Sequence, residues 1–281
     1  MNARENERGR ATIRIMGERW LATGLAPDEL GPWADADGGS GPFDVTIRVV
    51  EDATAGAAAM VGAEGTERDG YRLGAEHFGA DVAPGLRSAE IRVRGTVGAD
   101  AAARSTMRLV AVLRCLAGGE GLALHASGVV WDGRAYVFAG PPDAGKTTAA
   151  HQAAESLGAT IFADDLVLVR RQPDGVWRAS GLPWEAGRPG GVEPAPLAGI
   201  ARISRGEALR IERLRGARAA AAALALLPEA LSNAAVLAAA RLAEDASPPG
   251  QVPRGLVWRV VLPEGARAVP RLLRTMRGPS D

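Results

Sequence analysis

The residues best suited to chemistry surround the only lysine of the chain, Lys146, among 33 Lys and Arg residues. Lys146 stands in the run GPPDAGKT, residues 140–147, which matches the phosphate-binding pattern G-x-x-x-x-G-K-[ST] in full. Arginine is a planar fork, whereas lysine is a compact point charge on a slim stem that reaches between β- and γ-phosphates. A lysine kept here, in a chain that otherwise uses arginine, therefore predicts a nucleoside triphosphate site.

The loop around this lysine is expected to bind phosphate mainly through its backbone. A strand, a glycine-rich loop and a helix start aim several N–H groups and the positive end of the helix at a phosphate chain. Because Pro141 and Pro142 donate no N–H, the donors must begin at Asp143, whose carboxylate must point away. The alternative is a coincidental glycine-rich turn. The predicted nucleotide contacts are Gly140, Asp143, Ala144, Gly145, Lys146, Thr147 and Thr148, with the Thr147 hydroxyl on Mg²⁺.

Two adjacent carboxylates, Asp164 and Asp165, follow a short apolar segment 18 positions after Lys146. Successive strand residues face opposite sides, so we expect only one of the pair to face the γ-phosphate directly. Such a pair suits two tasks, holding Mg²⁺ and accepting a proton from a hydroxyl nucleophile. A solvated turn after a strand is the alternative. In combination with the upstream loop, the pair favours phosphoryl transfer.

Other candidate residues carry weaker signals. His125 lies on the strand before the loop strand, where an isolated histidine is more often a hydrogen-bonded structural residue. Trp177 and Trp184 are predicted to pack in the core or a lid rather than to stack on a base. Arg188 could stabilise a transferred phosphate, although exposed arginines usually belong to a solvated surface.

Length and composition exclude several classes of protein. The 281 residues, 47% apolar, can bury one large core or two modest ones. Zero formal net charge gives no basic field for nucleic acid or a membrane surface. The N-terminus lacks an apolar signal core, and no apolar run approaches the ~20 residues that span a bilayer. Cys115 is the only cysteine, which excludes an internal disulfide and a cysteine zinc site. We therefore expect a cytoplasmic protein without nucleic-acid or membrane partners.

The elements that must position these residues follow from local periodicity. Alternating segments predict strands, an apolar stripe over 100–116 predicts a helix, and Gly, Asp and Pro clusters predict loops over 31–41 and 53–65. A hairpin with an Asp-Gly turn is predicted to lead into the phosphate loop. The predicted strands are 12–15, 45–50, 90–94, 122–130, 135–138, 160–162, 166–169 and 198–204; the other predicted helices are 147–157, 217–227 and 229–244.

These elements predict two domains. Residues 1–98 form a β-rich N-terminal region of unknown role, and residues 99–281 form a P-loop kinase-like domain with Ala-rich C-terminal helices. The alanine density of those helices suits close packing, either within the fold or across a homo-oligomer interface. The Pro- and Gly-rich segment 181–196 has no regular element and is long enough to shape an open docking edge.

The motifs LHAS at 124–127, GPPDAGKTT at 140–148 and ADDLV at 163–167 together resemble the HPr kinase/phosphorylase-like family. That family shares its nucleotide fold with ATP-dependent phosphoenolpyruvate carboxykinases. The resemblance covers about residues 100–240 and implies an α/β fold: a P-loop kinase core of this type with a mixed sheet, preceded by the β-rich region. The stretch Glu-Ile-Arg-Gly-Leu-Gly, by which the HPr-modifying members are recognised, is absent.

The same resemblance implies roles for the candidate residues. His125 would help to organise the acceptor and the γ-phosphate, Asp164 would be the base, and Asp165 would be its partner and, with Thr147, a metal ligand. Shorter relatives of the family resemble kinases that phosphorylate a serine of a precursor peptide. The expected function is therefore ATP- and Mg²⁺-dependent transfer of the γ-phosphate to a Ser or Thr hydroxyl of a peptide or small protein. A small-metabolite kinase and a nucleotide-binding regulator without phosphotransfer are the alternatives.

Overall fold

The computed structural model describes residues 9–25, 42–53, 62–74, 78–94, 98–184, 193–215, 218–219, 222, 242, 256–263 and 268–278. These residues divide into two compact units, the first ending at Arg114 and the second beginning at Cys115. Each unit is built on a mixed β-sheet, and helices are few in the described part. The chain is therefore mixed α/β, as its class was predicted to be.

The first unit contains one seven-stranded sheet, ordered β1-β2-β3-β7-β6-β5-β4. The β2–β3 and β3–β7 pairs are parallel, and the other pairs are antiparallel. Strand β3 buries every second residue, as its alternating sequence predicted. The strands are β1 (Gly9–Ile15), β2 (Glu18–Leu25), β3 (Val45–Glu51), β4 (Gly62–Thr66), β5 (Gly70–Gly74), β6 (Phe78–Val82) and β7 (Ser88–Val93).

The predicted strands at 12–15, 45–50 and 90–94 are confirmed, within one to three residues, as parts of β1, β3 and β7. The loop predicted over 53–65 is wrong at its end, because β4 begins at Gly62. Strands β4, β5 and β6 are short and glycine-bearing, and their pairing partners stabilise them more than their own β propensity does. Most of 53–65 and all of 31–41 lie outside the described residues.

Helix α1 (Ala99–Leu116) belongs almost entirely to the first unit. The guanidinium of Arg114 makes two contacts with the Glu18 carboxylate, Nε–Oε2 and Nη2–Oε1, both 2.7 Å, and donates to the Leu86 carbonyl at 3.1 Å. The two paired side chains are only 14% and 17% exposed. The sequence placed this helix at the start of the second domain, at residue 99. Arg114 and Glu18 are 96 positions apart, so local periodicity does not reveal this contact between α1 and β2.

The second unit contains an eight-stranded arrangement in which strands pair along two routes. One route is β10-β8-β9-β13-β15-β14, and the other runs from β8 through β11 and β12 to β13. Strand β9 is antiparallel to β8 and parallel to β13. The elements are β8 (Gly121–Trp131), β9 (Arg134–Ala139), α2 (Lys146–Leu157), β10 (Thr160–Ala163), β11 (Leu166–Arg171), β12 (Trp177–Ser180), β13 (Ala195–Gly206), β14 (Arg210–Arg213), β15 (Val257–Pro263) and α3 (Val269–Arg277).

Strand β9 is buried on both faces, which makes it the centre of this unit. Val137 belongs to one apolar cluster together with Trp177, so the predicted core position of that tryptophan is confirmed. Tyr136 and Phe138 point to the opposite cluster, which includes residues of α2 and α3. A strand that is buried on both faces typically has a continuous apolar sequence, and β9 has one in AYVFA, residues 135–139. The site residues that follow β9 are therefore attached to the buried centre of this unit.

Local turn signals account for the connections next to this strand. Asp132 and Gly133 both have positive φ, 51° and 69°, and close the predicted β8–β9 hairpin. Gly158, with φ 66°, ends α2 as predicted, and its N–H donates to the Ala154 carbonyl at 3.0 Å. The sequence analysis missed β2, β5 and β6 of the first unit and β12, β14, β15 and α3 of the second. Of the helices predicted at 217–227 and 229–244, only 218–219, 222 and 242 are described, and these residues are helical.

Within the described ranges, no helix combines the length and the apolar character that crossing a bilayer requires.

We predict that Arg114→Gln lowers the local opening free energy of α1 and β2 by ~2–4 kcal/mol, because it removes the charged, largely buried hydrogen-bond donor of the Glu18 carboxylate. Hydrogen–deuterium exchange of peptides from α1 and β2 measures this local opening free energy. The matched control is Arg72→Gln, since Arg72 is 79% exposed and pairs with Asp81 at 3.4 Å. The control should change this local opening free energy by less than ~0.5 kcal/mol. Equal effects of the two variants would show that burial of the Arg114–Glu18 pair is not what holds α1.

Candidate functional site

The loop with the phosphate-binding pattern connects the central strand β9 directly to the start of α2. Strand β9 ends at Ala139, and α2 begins at Lys146. A Cβ at Gly140 would lie 2.6 Å from the Ile203 carbonyl oxygen, so only glycine fits where the loop leaves the sheet. Gly145 has φ 94°, a left-handed conformation that glycine adopts without strain. The glycines of the pattern are thus explained by backbone geometry.

The first turn of α2 presents a helix N-terminus next to this loop. No side chain caps the helix at Gly145. The first N–H groups of a helix have no acceptor inside it, and the helix dipole adds positive potential there. Thr147 and Thr148 lie in this first turn with exposed side chains. The arrangement has the polarity and the donors that an anion requires.

The ammonium of Lys146 lies against the loop itself. Its Nζ donates to the Gly140 carbonyl at 3.2 Å and to the Pro141 carbonyl at 3.0 Å. The Ala144 N–H also donates to the Pro141 carbonyl, at 3.3 Å. Asp143 is exposed and has φ 59°, and its carbonyl accepts from Arg205 Nε at 2.7 Å. The loop is therefore closed by contacts between its own residues and by a hydrogen bond from Arg205 of β13.

Asp164 and Asp165 lie where β10 passes into β11, and both strands pair with β8. Ala163 pairs with Gly128, and Leu166 pairs with His125. This register sets residues 164 and 165 opposite residues 127 and 126. The Ala126 N–H donates to the Asp165 carbonyl at 3.2 Å, which continues the pairing across the bend. The short strand and the carboxylate pair that follows it are thus confirmed as structural features.

Each carboxylate has a partner on β8. Ser127 Oγ donates to Asp164 Oδ1 at 2.7 Å. His125 Nδ1 lies 2.8 Å from Asp165 Oδ1 and 3.1 Å from the Asp165 carbonyl oxygen. These Nδ1 contacts favour a proton on that nitrogen, which leaves Nε2 as the acceptor of a neutral ring. His125 and Asp165 are exposed by 59% and 47%, whereas Ser127 is fully buried.

The sequence analysis did not single out Ser127. The signal that could have found it is a hydroxyl in an otherwise apolar strand, because a buried hydroxyl needs a hydrogen-bond partner. Strand β8 is buried at most positions from Gly121 to Val129, and His125 is the exposed exception. The buried hydroxyl of Ser127 therefore needs an acceptor, and the Asp164 carboxylate, in the bend between β10 and β11, provides it.

Strand β8 brings the loop and the carboxylate pair to the same end of the sheet. Ala126 pairs with Ala139, the last residue before the loop, and also donates to the Asp165 carbonyl. Neighbouring strands lie ~4.8 Å apart, so the backbone at Asp165 is about 10 Å from the start of the loop. Both β9 and β10 run antiparallel to β8, so their carboxyl ends point the same way. Arg188 lies outside the described residues.

A protein-family model described as SynChlorMet cassette protein ScmC matches residues 102–242. The match spans half of the chain and includes the loop and the carboxylate pair, so the chain belongs to this family. Among solved structures, the chain is similar to "Structure of the Hpr(Ser) kinase/phosphatase from Coxiella burnetii", with 14% identity over 55% of this chain and 92% of that chain, and a TM-score of 0.28. That TM-score is too low to show a common fold. No curated protein matches the chain.

We predict that Ser127→Ala destabilises the second unit by ~1–2 kcal/mol, since it removes a hydrogen bond to a carboxylate. A double-mutant cycle with Asp164→Ala, which removes the accepting Oδ1, should give a coupling energy of ~0.5–2 kcal/mol when read by chemical denaturation. Ser204→Ala is the matched control, because Ser204 is exposed and donates over a longer distance, 3.4 Å, to the Val260 carbonyl. Additive effects of Ser127→Ala and Asp164→Ala would contradict the assigned hydrogen bond.

Proposed function

We propose that this member of the ScmC family is an ATP- and Mg²⁺-dependent kinase that phosphorylates a Ser or Thr hydroxyl of a peptide or small protein. The observation that carries the proposal is the convergence at one end of the sheet. A complete phosphate-binding pattern with the only lysine of the chain and a carboxylate pair flank the same strand, β8. Phosphoryl transfer needs both parts, cationic and N–H donors for the phosphates and carboxylates for metal and proton.

Nucleotide binding would use the loop and the start of α2. The N–H groups from Asp143 to Thr148 and the helix N-terminus would contact the phosphates, and the Ala144 N–H would exchange its acceptor, the Pro141 carbonyl, for a phosphate oxygen. The Lys146 ammonium now donates to the Gly140 and Pro141 carbonyls. Bound triphosphate would offer it anionic oxygens instead, and hydrogen bonds between two charged groups are stronger than those to a carbonyl.

The oxygen donors of the site suit Mg²⁺, which substrate phosphates and water help to hold. They do not suit a metal ion that protein side chains alone must hold. Thr147 and Asp165 provide a hydroxyl and a carboxylate, both hard ligands. Across the described ranges, no group of three or more His, Cys, Asp or Glu residues could hold a metal. Mg²⁺ typically binds one or two carboxylates together with substrate phosphates and water, which matches so sparse a set. Bound Mg²⁺ would neutralise charge on the phosphate oxygens.

The residues of the chain then have separate tasks in the transfer. The acceptor hydroxyl oxygen forms a bond to the γ-phosphorus while the bond to the β–γ bridging oxygen breaks and ADP leaves. Asp164 takes the hydroxyl proton as general base. The hydrogen bond from Ser127 to Oδ1 would fix the orientation of this carboxylate, so that Oδ2 faces the acceptor. His125, held by Asp165, would orient the acceptor and the γ-phosphate.

The proposal is tested by incubating the protein with γ-labelled ATP, Mg²⁺ and a fractionated native lysate. We expect label in peptides or small proteins, on Ser or Thr. Lys146→Ala and Lys146→Arg should both abolish transfer while the melting temperature stays unchanged, because a forked guanidinium cannot replace the slim ammonium. Near-normal turnover of Lys146→Arg would contradict the argument from the unique lysine. Label confined to small molecules would make the protein a metabolite kinase, and nucleotide binding without any transfer would make it a regulator.

We predict that Asp164→Asn lowers turnover by ~10²–10⁴-fold, the usual contribution of a general base. Nucleotide affinity should change little, because the loop supplies most phosphate contacts. Asp165→Asn is the matched comparison. Because Asp165 is the proposed metal ligand, this variant should lower both turnover and the affinity for Mg²⁺. Single-turnover kinetics and nucleotide titrations separate the two effects. A normal rate for Asp164→Asn, with Asp165→Asn inactive but fully able to bind nucleotide, would exchange the two assignments.

A further inference from the structure

Arg205 contacts the phosphate loop from outside the pattern. It lies near the end of β13, two residues after Ile203, whose carbonyl packs against Gly140. Its Nε donates to the Asp143 carbonyl at 2.7 Å. The two residues are 62 positions apart, so the contact depends on the pairing of β13 with β9. A charged donor on a carbonyl makes a stronger hydrogen bond than a neutral one.

Asp143 needs such support because of its backbone conformation. Its φ of 59° lies in the left-handed region, which residues with a Cβ adopt at an energetic cost. The two preceding residues are prolines and donate no N–H, so no backbone donor from positions 141 or 142 can hold the loop. Asp143 is also the only acidic residue in 140–148, at the first position after the two prolines that can donate to a phosphate.

We propose that Arg205 is a positioning residue of the nucleotide site: it holds the Asp143 carbonyl outward so that the N–H groups from Asp143 onward face the phosphates. The inference rests on the proposed function for its purpose, although the contact itself does not. The guanidinium also places a positive charge beside the one residue of the loop whose carboxylate would repel phosphate. Arg205 thus compensates for an aspartate where glycine would need no support.

The test is a double-mutant cycle on nucleotide affinity, using a non-hydrolysable ATP analogue with Mg²⁺ and the full chain. Arg205→Gln should weaken binding by roughly tenfold, the effect of one charge-assisted hydrogen bond. In the Asp143→Gly background, Arg205→Gln should weaken nucleotide binding by less than about threefold, because glycine adopts the left-handed conformation without strain. A contact between Arg205 and phosphate would instead give the same loss in both backgrounds, and that result would overturn the proposal.

Two further measurements separate this inference from the function on which it rests. Hydrogen–deuterium exchange without nucleotide should show faster exchange over residues 143–149 in Arg205→Gln, and less so in the Asp143→Gly background. Unchanged exchange would overturn the positioning role, even if nucleotide binds. If the wild-type protein binds no nucleotide but the exchange responds as expected, the kinase proposal fails while the positioning role stands. Arg210→Gln, at an exposed position of β14, is the control for losing one positive charge and should leave affinity within about twofold.

Discussion

The pairing of β8 with strands on both sides is the interaction on which the candidate site depends. One set of hydrogen bonds joins β8 to β9 and thereby fixes where the phosphate loop begins. Another set joins β8 to β10 and β11 and fixes where Asp164 and Asp165 lie. A slip of one residue in either register would turn side chains to the opposite face of the sheet. Strand β8 therefore fixes the positions of both the loop and the carboxylates, although 18 positions separate Lys146 from Asp164.

Close packing around Phe162 specifies this register. The ring of Phe162 lies against Gly128, where an added Cβ would be 2.6 Å from Cε2. The pairing between β10 and β8 shifts between Ile161 and Ala163, at the position of Phe162. Irregularities of this kind re-aim the side chains that follow and are frequent beside functional sites. Because of the shift, Asp164 comes opposite Ser127, whose buried hydroxyl then finds its acceptor.

Elements with local signals could be predicted from the sequence, and elements that depend on distant partners could not. The Asp-Gly hairpin, the glycine loop and the helix ending at Gly158 each carry their own turn chemistry, and all three are present. Strands β4, β5 and β6 contain glycines and few β-branched residues, so only their neighbours in the sheet define them. The salt bridge between Arg114 of α1 and Glu18 of β2 joins residues 96 positions apart, and the hydrogen bond of Ser127 depends on strand register. Neither contact leaves a period in the sequence.

The phosphate loop shows how a local departure from a pattern is offset by a tertiary contact. Two prolines, which have no N–H, and an aspartate with positive φ occupy three positions of the loop. Glycine at these positions would supply N–H donors and adopt positive φ without strain. Proline stiffens the chain before the turn and so reduces the entropy lost on ordering it, but it supplies no donor. The missing support comes from β13, through the Ile203 carbonyl against Gly140 and the Arg205 guanidinium on the Asp143 carbonyl. In the proposed phosphate site, these contacts would preorganise the N–H donors of the loop, and preorganised donors bind an anion more strongly than donors that must first be arranged.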